Sequence, residues 1–129
     1  MRIGVPKEIK PQENRIGLTP GSVKILTSNG HEVLVENNSG FEAGFYNEQY
    51  KSAGAKIIAK AEDVFYESEI IVKVKEPLSK EVKMIRENQI IFTYLHLAAA
   101  KELTEGLIKS KAVCIAYETV TDDLSLIHI

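Results

Sequence analysis

A chain of 129 residues has the length of one typical domain, so a second full domain does not fit. Its 44% hydrophobic and 26% charged residues are ordinary globular values, which exclude an intrinsically disordered protein. The 16 basic and 18 acidic residues are interspersed and give a net charge of −2, so the chain has no basic stripe and nucleic acid is not expected as a partner.

The amino terminus and the apolar runs predict a cytoplasmic protein. Charged residues occur within the first eight positions, where a signal peptide would need an apolar core, and the longest apolar run is far below the ~20 residues of a membrane span. The single cysteine, Cys114, cannot form an internal disulfide. It lies in a strand-like run, as expected of a buried thiol in a reducing compartment.

Along the chain, β-branched apolar runs alternate with amphipathic segments. The runs predict six strands: Arg2–Pro6, His31–Val35, Lys56–Ile58, Glu69–Val74, Gln89–Tyr94 and Ala112–Tyr117. The segments between them predict five helices: Pro20 to about Asn29, Asn47–Ala53, Ala61–Glu67, Ser79 to about Arg86, and Ala98–Ser110. This alternation predicts an α/β fold, a flavodoxin-like or Rossmann-like three-layer sandwich with a mostly parallel sheet.

Residues capable of chemistry follow several strand ends. The long loop 7–17 after the first strand carries Arg15, the fourth and fifth strands lead to Lys75 and His96, and the sixth leads to Glu118. Parallel strands end at one edge of a sheet, where open α/β sheets bind ligands, so we expect these four residues to face one rim. Lys75 and His96 are separated by about one strand-helix-strand repeat, which predicts neighbouring or near-neighbouring strands.

Each of these residues has a simpler explanation when taken alone. A lysine at a strand end is usually solvated, a histidine beside the core is more often hydrogen-bonded than catalytic, and Arg15 could be an ordinary loop arginine. Together, however, two cations and a group that titrates near neutrality form an anion site with a proton carrier. Such a site suits an α-keto or α-amino acid.

Other kinds of site lack support. The chain has no G-x-G-x-x-G motif and no P-loop, so it carries no phosphate cradle of its own. The candidate soft ligands His31, His96 and Cys114 are too scattered for a metal cluster, and we expect no bound metal.

Several segments resemble the amino-terminal part of the alanine dehydrogenase family, in the right order and spacing from Met1 to about Val120. They are MRIGVPKEIKPQENRIGLTP, HEVLVENNSG, GFYNEQYKSAGAKI, IIVKVKEP, IFTYLHLAAAKELT and CIAYETV. The α subunit of the proton-translocating nicotinamide nucleotide transhydrogenase resembles the opening and the E-N-R-x-x-L-T-P pattern. It generally lacks the lysine of K-V-K-E-P and the histidine of Y-L-H-L-A, so Lys75 and His96 favour alanine dehydrogenase.

The resemblance implies that Arg15 and Lys75 hold the substrate carboxylate and that His96 is the acid/base residue. It implies oxidative deamination of L-alanine to pyruvate and ammonium, with NAD⁺ as hydride acceptor, in an enzyme that is typically a homohexamer. Family members bind NAD in a domain that follows this one. Residues 1–121 are therefore expected to be an incomplete substrate domain, without a cofactor site and inactive alone.

Residues 122–129 do not resemble the family's continuation and are interpreted as a truncation or a foreign tail, in which His128 has no function. Two alternatives stay open: a transhydrogenase-type domain, and a non-catalytic small-ligand-binding module that stands alone. A stand-alone module should have no exposed apolar face, whereas part of a larger enzyme should expose surface that the rest covers.

Overall fold

The computed structural model describes residues 1–97 and 100–120 of the chain. Its strands are β1 Arg2–Val5, β2 Glu32–Glu36, β3 Lys56–Ile58, β4 Ile70–Val72, β5 Ile90–Thr93 and β6 Val113–Ala116. Its α-helices are α1 Pro20–Ser28, α2 Asn47–Ser52, α3 Ala61–Glu67, α4 Ser79–Val82 and α5 Lys101–Ser110. The interpretation of residues 122–129, including His128, lies outside the described residues.

All six strands belong to one sheet in the order β3-β2-β1-β4-β5-β6, and every neighbouring pair is parallel. The chain moves outward from β1 to β3 and then returns to the other side of β1, so the strand order reverses between β1 and β4. In open α/β sheets this reversal marks the ligand-binding crevice. The predicted α/β fold is confirmed, and the sheet is wholly parallel.

Helices cover both faces of the sheet. One buried cluster joins sheet residues to α1 and α2, and it includes Val5, Val35, Val23 and Tyr50. A second cluster on the other face joins the sheet to α3 and α5, and it includes Ile71, Ile91, Phe65 and Leu107. Because both faces of the central strands are buried, these strands are apolar along their length instead of alternating with polar residues.

The fourth helix is shorter than predicted. It ends at Val82 and not near Arg86, because the chain continues in tighter turns in which the Met84 N–H donates to the Glu81 carbonyl at 2.9 Å. These turns bring Ile85, which is 8% exposed, into the second core cluster. The spacing of apolar residues favours a helix that continues to Arg86, but the tighter turns place Ile85 in the core, and this burial outweighs the helix propensity.

The fifth helix begins at Lys101, whereas the sequence predicted a start at Ala98, which lies outside the described residues. Its predicted apolar face is confirmed, since Leu107 is buried and Leu103 packs against the same cluster. Within residues 1–97 and 100–120, no helix is long and apolar enough to cross a membrane.

The outer edge of the sheet carries exposed apolar side chains. Val113 and Ile115 of the edge strand β6 are 50% and 39% exposed.

Candidate functional site

A glycine brings the loop after β1 close to the end of β4. A Cβ on Gly17 would lie 2.6 Å from the carbonyl oxygen of Val72, so any larger residue would push the loop away from the sheet. The loop then enters α1, whose N-cap Thr19 accepts the N–H of Ser22 at 3.2 Å. Arg15 is thereby held at the carboxyl edge of the sheet, beside β4.

Arg15 is paired with a carboxylate that the sequence analysis did not single out. Its Nε donates to Glu13 Oε2 at 2.9 Å, and its Nη2 donates to Glu13 Oε1 at 2.8 Å. The side chain of Glu13 is 6% exposed, whereas that of Arg15 is 65% exposed. A guanidinium has five N–H donors, so donors remain for a second carboxylate.

Both predicted cations, Arg15 and Lys75, affect the pKa of Glu13. Hydrogen bonding from the Arg15 side chain is the main cause that lowers this pKa to about 2, and the charges of Arg15 and Lys75 lower it further. Lys75 therefore acts on the same carboxylate as Arg15. Of the two predicted carboxylate-binding residues, Arg15 contacts Glu13 directly, and Lys75 acts on it through its charge.

We expect the Glu13 carboxylate to stay ionised until the pH falls to about 2. A lowered folded-state pKa stabilises the fold above the unfolded pKa of about 4.3, and this contribution is lost as the pH falls through the folded value. A ¹³C NMR titration of the Glu13 carboxyl carbon measures it. Replacing Arg15 with Met should move the titration upward, and an unchanged midpoint in Arg15→Met would contradict the assigned cause.

A second glutamate of the same loop fixes the turn that carries Lys75. Glu8 Oε2 accepts the N–H of Val74 at 3.0 Å, and Glu8 Oε1 accepts the N–H of Lys75 at 3.1 Å. These two amides are thereby taken by a side chain, so β4 ends at Val72 and not at Val74 as predicted. Lys75 consequently lies three residues beyond the strand.

Glu8 also belongs to a buried ionic cluster that the sequence analysis missed. Lys73 is 1% exposed, and its Nζ lies 3.1 Å from Glu8 Oε1 and 3.0 Å from Glu81 Oε2. Burial raises the pKa of Glu81, although the charge of Lys73 opposes this shift. The sequence does contain a signal for this cluster, because Lys73 lies inside a predicted strand covered on both faces. A lysine in that position must be buried and therefore paired.

A cavity of about 300 Å³ opens beside Arg15. Its walls are mostly apolar and aromatic, and they include Ala43, Phe45, Val74, Tyr94 and Tyr117. The rings of Tyr94 and Tyr117 meet edge to face with centroids 5.1 Å apart. One cation beside an apolar wall is the usual composition of a small-molecule site.

His96 stacks on Tyr94, and the ring of Tyr94 lines this cavity. Its imidazole is stacked on the Tyr94 ring at 5.7 Å between centroids, with an interplanar angle of 9°. His96 is exposed and has a φ of 50°, in the left-handed region that histidine adopts more often than most residues other than glycine.

Two carboxylates, those of Glu76 and Glu118, interact with the segment that carries His96. Burial opposes ionisation of Glu76, but Lys10 and the charge of His96 lower its pKa below the ordinary value. Glu118, in a 3₁₀ turn after β6, accepts the N–H of Leu95 at 3.2 Å.

The predicted rim is confirmed, since the residues that follow β1, β4, β5 and β6 all lie at the carboxyl edge of the sheet. The strands that lead to Lys75 and His96 are direct neighbours.

The described residues do not fit a dinucleotide at the strand-order reversal. A pyrophosphate would need a glycine-rich turn that leads from β1 directly into a helix, whereas loop 7–17 separates β1 from α1 and carries no such motif. In the same part of the chain, no group of three or more His, Cys, Asp or Glu residues is arranged to hold a metal.

The model of the alanine dehydrogenase/PNT N-terminal domain family matches residues 4–126. The chain belongs to this family. Alanine dehydrogenase of Bacillus subtilis (strain 168) is 53% identical over 126 residues, which are 98% of this chain and 33% of the relative. Alanine dehydrogenase of Methanococcus maripaludis is 49% identical over 120 residues, covering 93% of this chain and 32% of the relative. This member of the family thus spans about a third of the length of the curated relatives it matches.

Solved structures agree with the family assignment. An L-alanine dehydrogenase that is 50% identical superimposes with a TM-score of 0.93, covering 95% of this family member and 34% of the other chain. A transhydrogenase from Sinorhizobium meliloti has a TM-score of 0.88 at 24% identity, covering 96% of this chain and 37% of its own. At that identity the likeness concerns the fold of the alanine dehydrogenase/PNT domain alone.

Proposed function

We propose that this domain is the substrate-binding half of an NAD-dependent alanine dehydrogenase, which converts L-alanine to pyruvate and ammonium. One observation carries the proposal: Arg15, which keeps N–H donors beside its pair with Glu13, lines an apolar cavity at the edge of the sheet that also carries Lys75 and His96. Residues 1–121 form this domain. It is inactive alone, because its own residues do not fit a dinucleotide, and NAD is bound by another part of the complete enzyme.

In this proposal, Arg15 and Lys75 bind the substrate carboxylate. The guanidinium still has free N–H donors beside the Glu13 pair, and the Lys75 ammonium adds a second positive charge that acts on the same carboxylate. A carboxylate held by two cations fixes Cα in one orientation. The apolar wall that includes Val74 and Phe45 suits the methyl group of alanine.

His96 carries the protons in the proposed reaction. An imidazole both accepts and donates protons, so His96 can take a proton from the substrate ammonium, release it to solvent, and then take a proton from the water that adds to C2. Its exposure and its stacking on Tyr94, a wall of the cavity, support this role. The complete enzyme is proposed to be a cytoplasmic homo-oligomer.

The family assignment favours this proposal over a stand-alone binding module, because the curated alanine dehydrogenases that the chain matches are about three times as long.

Pyruvate binding tests the proposed site. We expect pyruvate to perturb the NMR signals of Arg15, Lys75 and Tyr94 in the 1–129 chain, and Lys75→Ala to weaken binding about tenfold through loss of a charge-assisted hydrogen bond. Lys51→Ala is the matched control, because Lys51 is an exposed lysine of α2. Equal affinities of the two variants, or perturbations confined to other surfaces, would remove Lys75 from the site.

A further inference from the structure

The backbone of Lys75 is held by side chains from two other segments. Its N–H donates to Glu8 Oε1 at 3.1 Å, and its carbonyl oxygen accepts from the hydroxyl of Thr93 at 2.8 Å. The preceding amide, that of Val74, donates to Glu8 Oε2 at 3.0 Å. Both polar groups of the Lys75 backbone are therefore fixed, and with them the direction in which its side chain leaves the turn.

Glu8 does more than neutralise Lys73. The carboxylates of Glu8 and Glu81 are 2% and 3% exposed, and both lie within 3.1 Å of the Lys73 ammonium. Only Glu8 also reaches the amides of Val74 and Lys75, whereas Glu81 accepts the N–H of Leu78. The two glutamates thus share the Lys73 ammonium but accept hydrogen bonds from different backbone amides.

We propose that Glu8 is a positioning residue for recognition of the substrate carboxylate. Its carboxylate holds Lys75 where the lysine ammonium can act together with Arg15, and the ion pair with Lys73 fixes that carboxylate in the interior. Glu8 and Arg15 belong to the same loop after β1, so one loop sets both cations. This inference rests on the proposed function.

The test compares Glu8→Gln with Glu81→Gln in a full-length version of the protein. A glutamine at position 8 has only one acceptor oxygen, so it cannot accept from the amides of both Val74 and Lys75 in the way that the two oxygens of Glu8 do. Its NH₂ group would face one of these N–H groups, and two donors cannot pair. We expect KM for pyruvate to rise about tenfold in Glu8→Gln, with kcat changed less than about twofold and KM for NADH unchanged. Glu81→Gln should lose stability and keep the KM for pyruvate.

A merely structural role predicts a different pattern. It would lower the active fraction, and hence kcat, in both variants without a selective change in KM for pyruvate. An unchanged KM in Glu8→Gln, or an equal rise in Glu81→Gln, would overturn the inference. If Glu8→Gln does not fold, Thr93→Val removes the other contact to Lys75 without changing any charge, and it should also raise KM for pyruvate.

An NMR measurement separates this inference from the proposed function. In the 1–129 chain, the amide signals of Val74 and Lys75 should move upfield and exchange faster with solvent in Glu8→Gln but not in Glu81→Gln. If the full-length wild type shows no activity toward pyruvate, the proposed function fails while this signature still supports the hold of Glu8 on Lys75. Unchanged amide signals in Glu8→Gln would overturn that hold.

Discussion

We expect Lys73→Met to lower the free energy of unfolding by about 3–5 kcal/mol, because it leaves two buried carboxylates without their cation. Lys73 is 1% exposed, and its ammonium is the shared partner of Glu8 and Glu81. Urea unfolding at pH 7 measures the change. A methionine fills a similar volume, so the loss reports the charge and not a cavity.

The pH dependence of this loss has a definite sign. Burial already raises the pKa of Glu81, and removal of Lys73 raises it further, so the folded variant favours protonated carboxyls. A raised carboxyl pKa contributes stability at low pH and loses it as the pH rises through the folded value. The deficit of Lys73→Met should therefore be smaller at about pH 4 than at pH 7.

Lys51→Met is the control for removal of a lysine charge. Lys51 is 55% exposed and pairs with Glu48 one helical turn away, so its loss should cost less than about 0.5 kcal/mol. Adding Glu81→Gln to Lys73→Met should recover part of the stability, since one uncompensated charge is removed. Equal stability of Lys73→Met and Lys51→Met would show that the buried cluster contributes nothing.

The second large effect concerns catalysis. In a full-length version, we expect His96→Ala to lower kcat by about 10²–10⁴-fold, the usual contribution of a positioned acid/base group, with a smaller change in KM for pyruvate. His31→Ala is the control, because His31 lies beside β2, away from the cavity. Steady-state kinetics across pH measure both, and a His96→Ala kcat close to the wild-type value would exclude the role.

His96→Gly separates the loss of chemistry from a loss of folding. Glycine adopts the φ of 50° without strain, so this variant should be at least as stable as His96→Ala while remaining equally inactive. Recovery of kcat in His96→Gly would mean that strain in His96→Ala, and not the missing imidazole, caused the loss.

The fold could be predicted because its signals are local. Runs such as Ile70–Val72 and Ile90–Thr93 are β-branched and short, and the segments between them have helical spacing, so a parallel sheet covered on both faces follows directly. The same topology predicted that Arg15, Lys75 and His96 would lie at one edge, because parallel strands end together.

The contacts that organise the site could not be predicted in the same way. Glu8 and Lys73 are 65 positions apart, and no local pattern indicates that a loop glutamate will end a strand by taking its amides. Nothing in the sequence around His96 marks a left-handed backbone, which is usual for glycine or asparagine. Such features arise from tertiary packing and were visible only in the structure.

One assay tests directly the proposal that this domain supplies the amino-acid half of an alanine dehydrogenase site. Full-length protein and the 1–129 chain are incubated with L-alanine and NAD⁺, and NADH formation is followed. We expect NADH formation that depends on L-alanine in the full-length protein and none from the 1–129 chain. Hydride transfer between two nicotinamide nucleotides without dependence on L-alanine, or turnover by the 1–129 chain alone, would contradict the claim.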